Sequence, residues 1–333
     1  MLKKSAPFVM LAILVGAGGY AWKARPVATL AATPSITPLP AKKIHVVSTP
    51  PRLAFLTDIG QPWQQRIDLL RRELANECGE REIRYLYELL AKEAPKGELP
   101  EHGYLIANEM MEQVLRNDVD ARRFSSHLLD LLQDTHQPLV IRDYAVQHLV
   151  AWLNPRLQQD RANPSGKAPV TFQHPPEITS QVLKSLVDAT TNTELERTTI
   201  PGTTLMMLVD LARDPGDVDC RSTITALEPW LARALEDGST LGTPVRVSAV
   251  QAAGFVAPEK FRPALRRIAY QENGQSSLRL PSIAALGQCG DAGDIEKIHQ
   301  VGAAHPELAY AAADACRVLS ARLGAEDSSS ITK

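Results

Sequence analysis

Apolar residues recur every three or four positions from residue 63 to the end of the chain, with polar residues between them. This spacing places the apolar side chains on one face of a helix, because a helix turns once in about 3.6 residues. The clearest runs are Trp63, Ile67, Leu70 and Leu74; Ile83, Leu86 and Leu90; Ile106, Met110 and Val114; and Phe124, Leu128 and Leu131. Helix-breaking residues separate the runs, and no series of strand-like segments is evident. The pattern predicts an all-α protein of antiparallel helical hairpins.

The later helices repeat one another in sequence. Residues 141–149 (IRDYAVQHL) align with 245–253 (VRVSAVQAA), sharing the second-position Arg and an Ala-Val-Gln core. Residues 278–287 (LRLPSIAALG) repeat 245–254 at a distance of 33 positions, and 308–317 (LAYAAADACR) follow 30 positions later without the Arg. A period of this size is typical of stacked helical hairpins.

The stretch LRLPSIAALGQCGDAGDIEKI resembles the short HEAT-like repeat of phycobilisome-lyase-type HEAT proteins, in which an Arg precedes an Ala-Leu-Gly and a Gly-Asp turn. The matching positions are Arg279, Ala285, Leu286, Gly287, Gly290 and Asp291. The resemblance is clearest over 243–322 and extends to 138–153. It implies an α-solenoid. It also implies that Arg142, Arg246 and Arg279 pair with acids of neighbouring repeats, which is a structural role.

The amino terminus contains an uncharged segment, residues 6–22, between two pairs of basic residues. As a helix it spans about 26 Å, near the lower limit for crossing a membrane. Tyr20 and Trp22 beside Lys23 favour a retained anchor, with the carboxyl-terminal domain outside the cytoplasm. The alternative is a signal peptide, cleaved after the small residues 16–19, that leaves a secreted or periplasmic protein. Residues 1–25 are therefore predicted to be a membrane anchor or signal.

The distribution of prolines divides the rest of the chain into a linker, a helical domain and an interruption within that domain. Seven prolines in residues 26–62 favour extended backbone and predict a tether. The helical repeat domain is then assigned to 63–323, irregular over 63–237 and regular over 243–322. Five prolines in 154–177 predict an excursion from the repeats, either flexible or a recognition element through Phe172 and His174. Residues 324–333 are predicted to form a flexible tail.

The net charge argues against a nucleic-acid partner, and the cysteine spacing argues against a zinc site. The net charge is −2, and without the four bases of the first 25 residues it becomes −6, from 32 basic and 38 acidic residues. Nucleic acid is therefore not expected as a partner, because it requires a clustered basic surface. The cysteines Cys78, Cys220, Cys289 and Cys316 are too widely spaced for a zinc motif and are predicted to be free, buried thiols.

Candidate chemistry is sparse. His136, Asp143 and His148 lie within one hairpin, but their spacing does not align them on a helix face, so a solvated surface is predicted. The chain has no catalytic motif, and we predict no catalytic, cofactor-binding or metal-binding residues and no cofactor.

Two functional hypotheses follow. The first is a non-catalytic scaffold, tethered to a membrane through residues 6–22 or exported, that binds an unidentified protein or peptide on a helical-repeat surface. The alternative, by HEAT-family analogy, is a lyase-like or accessory protein that handles a small ligand or chromophore. That alternative requires a pocket with convergent polar groups.

Overall fold

A computed structural model of the chain describes residues 49–74, 78–92, 99–154, 175–214, 218–272 and 274–330. These residues belong to one compact unit that begins at Val46. They form helices and no strands, so the predicted all-α class is confirmed for this part of the chain. The predicted membrane segment, most of the tether and residues 155–174 of the predicted excursion lie outside the described residues.

The helix boundaries follow the apolar runs and the turn residues of the sequence. The α-helices are α1 Trp63–Leu74, α2 Glu80–Leu90, α3 Pro100–Asn117, α4 Ala121–Gln133, α5 Leu139–Leu153, α6 Pro176–Thr191, α7 Ile200–Arg213, α8 Arg221–Ala226, α9 Glu228–Ala234, α10 Thr243–Val256, α11 Pro258–Tyr270, α12 Ser276–Cys289, α13 Ala292–Ala304 and α14 Ala309–Ser330. Short 3-10 helices occupy Pro51–Thr57, Thr193–Leu195 and Pro306–Leu308.

The helices pack in two series. The first series consists of α1, α3, α5, α7, α10, α12 and α14, and each of these helices contacts the next. The second series consists of α2, α4, α6, α8, α9, α11 and α13, which pack against members of the first. A single apolar core runs between the two series and includes Leu86, Phe124, Trp152, Leu208 and Leu286.

Small residues set the distance between successive helices of the first series. A Cβ atom added at Gly254 of α10 would lie 3.1 Å from the Cβ of Ala285 in α12. One added at Gly287 of α12 would lie 2.9 Å from the Cα of Ala315 in α14. The helix backbones therefore approach so closely that larger side chains would not fit. Ala252, Ala285 and Ala312, which the repeat alignment places at such contacts, are all buried.

The repeated arginines bind carbonyl groups, so their predicted pairing with acids of neighbouring repeats is wrong. Arg142 donates to the Leu132 carbonyl at 2.8 Å, and Arg279 donates to the Ala269 carbonyl at 3.3 Å. Arg246 donates to the Ala234 and Glu236 carbonyls. Each acceptor lies at or just beyond the end of the preceding helix, where carbonyls lack intrahelical donors and the helix dipole is negative. The arginines therefore cap helices, as their predicted structural role requires.

Part of the segment assigned to the tether is folded. Pro51 begins the 3-10 helix, and the proline at this position fits because its missing N–H has no partner in the first turn of a helix. Leu53 and Leu56 of this helix are buried in the core. Arg66 of α1 donates to the Leu56 carbonyl at 3.1 Å. The predicted tether boundary at residue 62 is therefore too late, because the folded unit includes residues 51–57.

Two other boundaries also move. Helix α6 begins at Pro176, so the predicted excursion ends before residue 177. Helix α14 continues to Ser330, so the backbone of 324–330 is helical, where the sequence predicted a flexible tail. Among the described helices, none is both long and apolar enough to cross a membrane.

Candidate functional site

The outward face of the second helix series is charged. Lys184 and Asp188 are exposed on α6, and Glu259, Lys260 and Arg267 are exposed on α11. Alternating charges of this kind are typical of a solvated helix face. Among the described residues, this face therefore has the composition of a solvated helix surface.

The outward face of the first series is different over α5, α7, α10 and α12. Its exposed and half-buried positions are largely uncharged, and we name this surface the low-charge face. It comprises Tyr144, Gln147, Met206, Met207, Val247, Gln251, Phe255, Leu280, Ala284 and Gln288, with Asp143 and Asp210 among them. Depletion of charge together with Tyr, Phe and Met is the composition of protein-binding surfaces.

Contacts between neighbouring helices place these outward positions side by side. Thr199, immediately before α7, donates to the Asp143 carboxylate of α5 at 2.6 Å. Gly202 of α7 faces Ser248 of α10, whose Oγ lies 2.9 Å from the Cβ position of that glycine. Gly254 of α10 faces α12 in the same way. The outward side chains therefore follow one another in the order α5, α7, α10, α12.

Three glutamines lie on this face, Gln147 on α5, Gln251 on α10 and Gln288 on α12. Gln251 and Gln288 are exposed and Gln147 is half-buried. Within the described residues, none of these side-chain amides has a hydrogen-bond partner. The sequence carried a signal for two of them, because Gln147 and Gln251 end the repeated Ala-Val-Gln core, but the alignment gave them no role.

Two carboxylates lie on the low-charge face. Burial raises the pKa of Asp143, against the hydrogen bonds that Thr199 and Thr203 donate to it. Its Oδ1 atom is buried and has no hydrogen-bond partner among the described residues. Burial also raises the pKa of Asp210, against the attraction of Arg213, whose Nη1 is 3.6 Å away. Both carboxylates are therefore poorly solvated negative charges that a cation would stabilise.

The three residues singled out as candidate chemistry have different environments. His136 is exposed and Asp143 is half-buried, but His148 is buried, so the predicted solvated surface is wrong for His148. Its Nε2 lies 3.1 Å from Asn108 Oδ1 and its Nδ1 lies 3.7 Å from Glu112 Oε2, both on α3. Tertiary packing of α3 against α5 therefore places this imidazole in a polar contact between helices.

The described part of the chain contains no cluster of three or more His, Cys, Asp or Glu side chains that could hold a metal ion. All four cysteines are free, as predicted; Cys220 and Cys289 are buried, and Cys78 and Cys316 are half-buried.

A surface depression of about 470 Å³ lies beside the starts of α1 and α3. Ile59 and Leu99 supply exposed apolar surface there. Two of its polar side chains already serve the fold, since His102 stacks on Trp63 with ring centroids 5.4 Å apart and Arg66 caps the 3-10 helix. A smaller depression of about 220 Å³ lies between Asp237, Arg246 and Gln275.

Comparison of the chain with protein-family models, with characterised proteins and with solved structures gave no significant match.

Proposed function

We propose that this chain is a non-catalytic scaffold that binds a protein or peptide partner on the low-charge face. The observation that carries the proposal is the contrast between the two helix series. The second series presents Lys, Arg, Asp and Glu to solvent, whereas α5, α7, α10 and α12 present mainly aromatic, aliphatic, thioether and amide side chains. A surface of this composition loses little solvation free energy when a partner covers it.

We further infer that the helices form an α-solenoid of antiparallel HEAT-like hairpins. Contacts between opposite ends of consecutive helices support the hairpins: Arg262, near the start of α11, donates to the carbonyl of Cys289 at the end of α12 at 2.7 Å. The stacking of Trp63 on His102, at the starts of α1 and α3, supports a parallel first series. Stacked hairpins create extended surfaces, and binding on such a surface requires no catalytic group.

The proposal includes attachment to a membrane, or export, through residues 6–22. Its support is the uncharged composition of that segment and its flanking bases. Fractionation of cells that express the full chain, or a chain starting at residue 26, tests it. We expect the full chain in the membrane fraction, or shortened and outside the cytoplasm, and the shorter chain in the cytosol. Equal distribution of both chains would contradict this part of the proposal.

A photocrosslinking experiment tests the binding face. A benzophenone amino acid replaces Ala284 on the low-charge face or Lys184 on α6, both of which are exposed. We expect a defined crosslinked protein from position 284 that disappears when Gln251→Glu is added, because the new charge would be desolvated in the interface. Position 184 serves as the matched control. Crosslinking that is equal at both positions and insensitive to Gln251→Glu would contradict the proposal.

A further inference from the structure

The geometry of the low-charge face points to one class of occupant. We infer that it binds an extended peptide segment that carries at least one Lys or Arg. The peptide main chain would hydrogen-bond to the amides of Gln147 and Gln251, and its basic side chain would lie near Asp143 and Asp210. This inference rests on the proposed function and specifies the partner of the same surface.

Amide chemistry favours a peptide main chain. A glutamine side chain offers two N–H donors and one carbonyl acceptor, which match the N–H and C=O that each residue of an extended chain exposes. The side-chain amides of Gln147 and Gln251 have no hydrogen-bond partner among the described residues. A helical peptide would not use them in this way, because its main-chain groups already bond within the helix.

The spacing of the amides fits an extended chain that crosses the helices. Packed helices lie about 8 to 10 Å apart, and an extended chain advances about 3.3 Å per residue, so roughly three peptide residues pass each helix. Because α7 lies between α5 and α10, about 16 to 20 Å separate the contacts with Gln147 and Gln251, which corresponds to about five or six residues. With six residues, the same side of the extended backbone returns to the surface, so both amides meet equivalent main-chain groups.

The surface between the two amides is apolar and adaptable. Met206 and Met207 of α7 are half-buried on this face, and Val247 of α10 lies beyond them. Thioether side chains are flexible and polarizable, and they adjust to ligands of different shape. The peptide side chains that point toward α7 are therefore expected to be apolar.

Charge complementarity adds the basic residue. The Asp143 carboxylate has a buried Oδ1 without a hydrogen-bond partner among the described residues. The Asp210 carboxylate faces Arg213 at 3.6 Å, but that guanidinium also lies 5.0 Å from the ring centroid of Phe255. Among the described residues of α5, α7, α10 and α12, Arg213 is the one exposed cation. A Lys or Arg on the peptide would pair with Asp143 and would add a second cation beside Asp210, whose present partner Arg213 is shared with Phe255.

Screening a phage-displayed library of random 12-residue peptides against the full chain in mild detergent tests the inference. We expect selected peptides to combine apolar residues with at least one Lys or Arg and to contain no acidic run. Dissociation constants of the synthetic peptides are then measured by fluorescence anisotropy. Gln147→Leu and Gln251→Leu are each expected to weaken binding about tenfold, since each removes hydrogen bonds to the peptide.

Matched controls separate this effect from damage to the fold. Gln181→Leu makes the same change at an exposed position of α6 and is expected to leave affinity unchanged. N-methylation removes main-chain N–H donors from the peptide. Methylating every second nitrogen is expected to abolish binding when the methylated set faces the glutamines. Methylating the other set is expected to leave binding intact. Asp143→Asn is expected to weaken peptides that carry Lys about fivefold and to leave their norleucine versions unaffected.

Several outcomes would overturn the inference: no selected peptide, acidic selected peptides, tighter binding of helix-stapled versions, or equal affinity for both Gln→Leu variants and the parent chain. The proposed function fails separately, in the photocrosslinking experiment. Suppose that a partner crosslinks at position 284, that Gln251→Glu abolishes this crosslink, and that the extended-peptide test fails. The scaffold proposal would then stand, and an extended basic peptide would be excluded as the occupant.

Discussion

At the scale of single residues, the arginines of the first helix series show how one side chain positions a helix end. Arg66, Arg142 and Arg279 each donate to the carbonyl ten residues earlier. Arg279 also reaches the Glu272 carbonyl and the His305 ring. A guanidinium suits this role because its five donors lie in a fixed plane and it stays charged, whereas a lysine offers a single point charge.

Arg279→Met is expected to lower the free energy of unfolding by about 2 to 3 kcal/mol. The substitution leaves helix-end carbonyls without donors in a buried site. Urea denaturation followed by circular dichroism measures the change. Arg317→Met removes an exposed guanidinium whose partner, Asp314, is also exposed, and it is expected to change stability by less than about 0.5 kcal/mol. Equal effects of the two substitutions would contradict the capping role.

The thiols of Cys289 and Cys316 are expected to stay reduced and to react slowly with iodoacetamide until the chain is denatured. Burial raises the pKa of both thiols, so little thiolate is present near neutral pH. Cys316 donates weakly to the Ile295 carbonyl, 3.4 Å from its sulfur. Intact-mass analysis before and after denaturation measures labelling. A two-dalton mass deficit in a linked 289–316 peptide pair would contradict the prediction.

At the scale of helices, two adjacent alanines of α12 have opposite environments, one packed against a neighbouring helix and one exposed to solvent. Ala285 is buried against Gly254, and Ala284 is exposed on the low-charge face. Ala285→Arg is expected to destabilise the chain by about 3 kcal/mol or more, since it adds bulk and an unpaired charge at a close helix contact. Ala284→Arg serves as the control, with an expected change below about 0.5 kcal/mol. Thermal melts of both variants test which face of α12 is buried. Equal melting temperatures would contradict the assigned repeat register.

Asp294 joins α11 to α13 and makes stability depend on pH. Burial opposes its ionisation, but hydrogen bonds from Arg266 and Tyr270 outweigh that effect and hold its pKa below the ordinary value. A lowered folded-state pKa adds stability above the unfolded pKa of about 3.9, and this stability is lost as pH falls through the folded-state pKa.

Asp294→Asn is therefore expected to lower the free energy of unfolding at pH 7 by about 3 kcal/mol, because Arg266 loses a buried partner. The difference in free energy of unfolding between the variant and the parent chain is expected to stay constant between about pH 5 and 8 and to shrink below about pH 4. Asp314→Asn, at an exposed pair with Arg317, is the control, with little expected effect at any pH. A difference that stays constant below pH 4 would contradict this assignment.

The helices were largely predictable from the sequence because their apolar faces follow the helical period. Helix α12, Ser276–Cys289, contains the repeat at 278–287, and the Asp291 side chain caps the start of α13, as is common for aspartate. The burial of His148 was not predictable, because it depends on the packing of α3 against α5, which lie far apart in sequence. The carbonyl partners of the arginines likewise follow from contacts between helices.

At the scale of the whole molecule, the first and last described elements both pack onto the apolar core. Leu53 and Leu56 of the 3-10 helix cover the core beside α1, and α14 covers it beside α12 and α13. In α14, the position that the alignment equates with Gly287 is Arg317, which is exposed. In the proposed solenoid, polar residues on the terminal helices would keep the end of the stack from presenting an open apolar face.

Two truncations locate the start of the folded unit. A chain starting at residue 46 is expected to match a chain starting at residue 26 in helix content and free energy of unfolding, because the compact unit that contains the described residues begins at Val46. A chain starting at residue 58 loses the burial of Leu53 and Leu56, each worth about 1.5 to 3 kcal/mol, and the carbonyl that Arg66 binds. We therefore expect it to be about 3 to 6 kcal/mol less stable or to aggregate. Urea denaturation of the three chains measures this difference. Equal stability for the chain starting at residue 58 would return residues 51–57 to the tether and restore the boundary at residue 62 that the prolines predict.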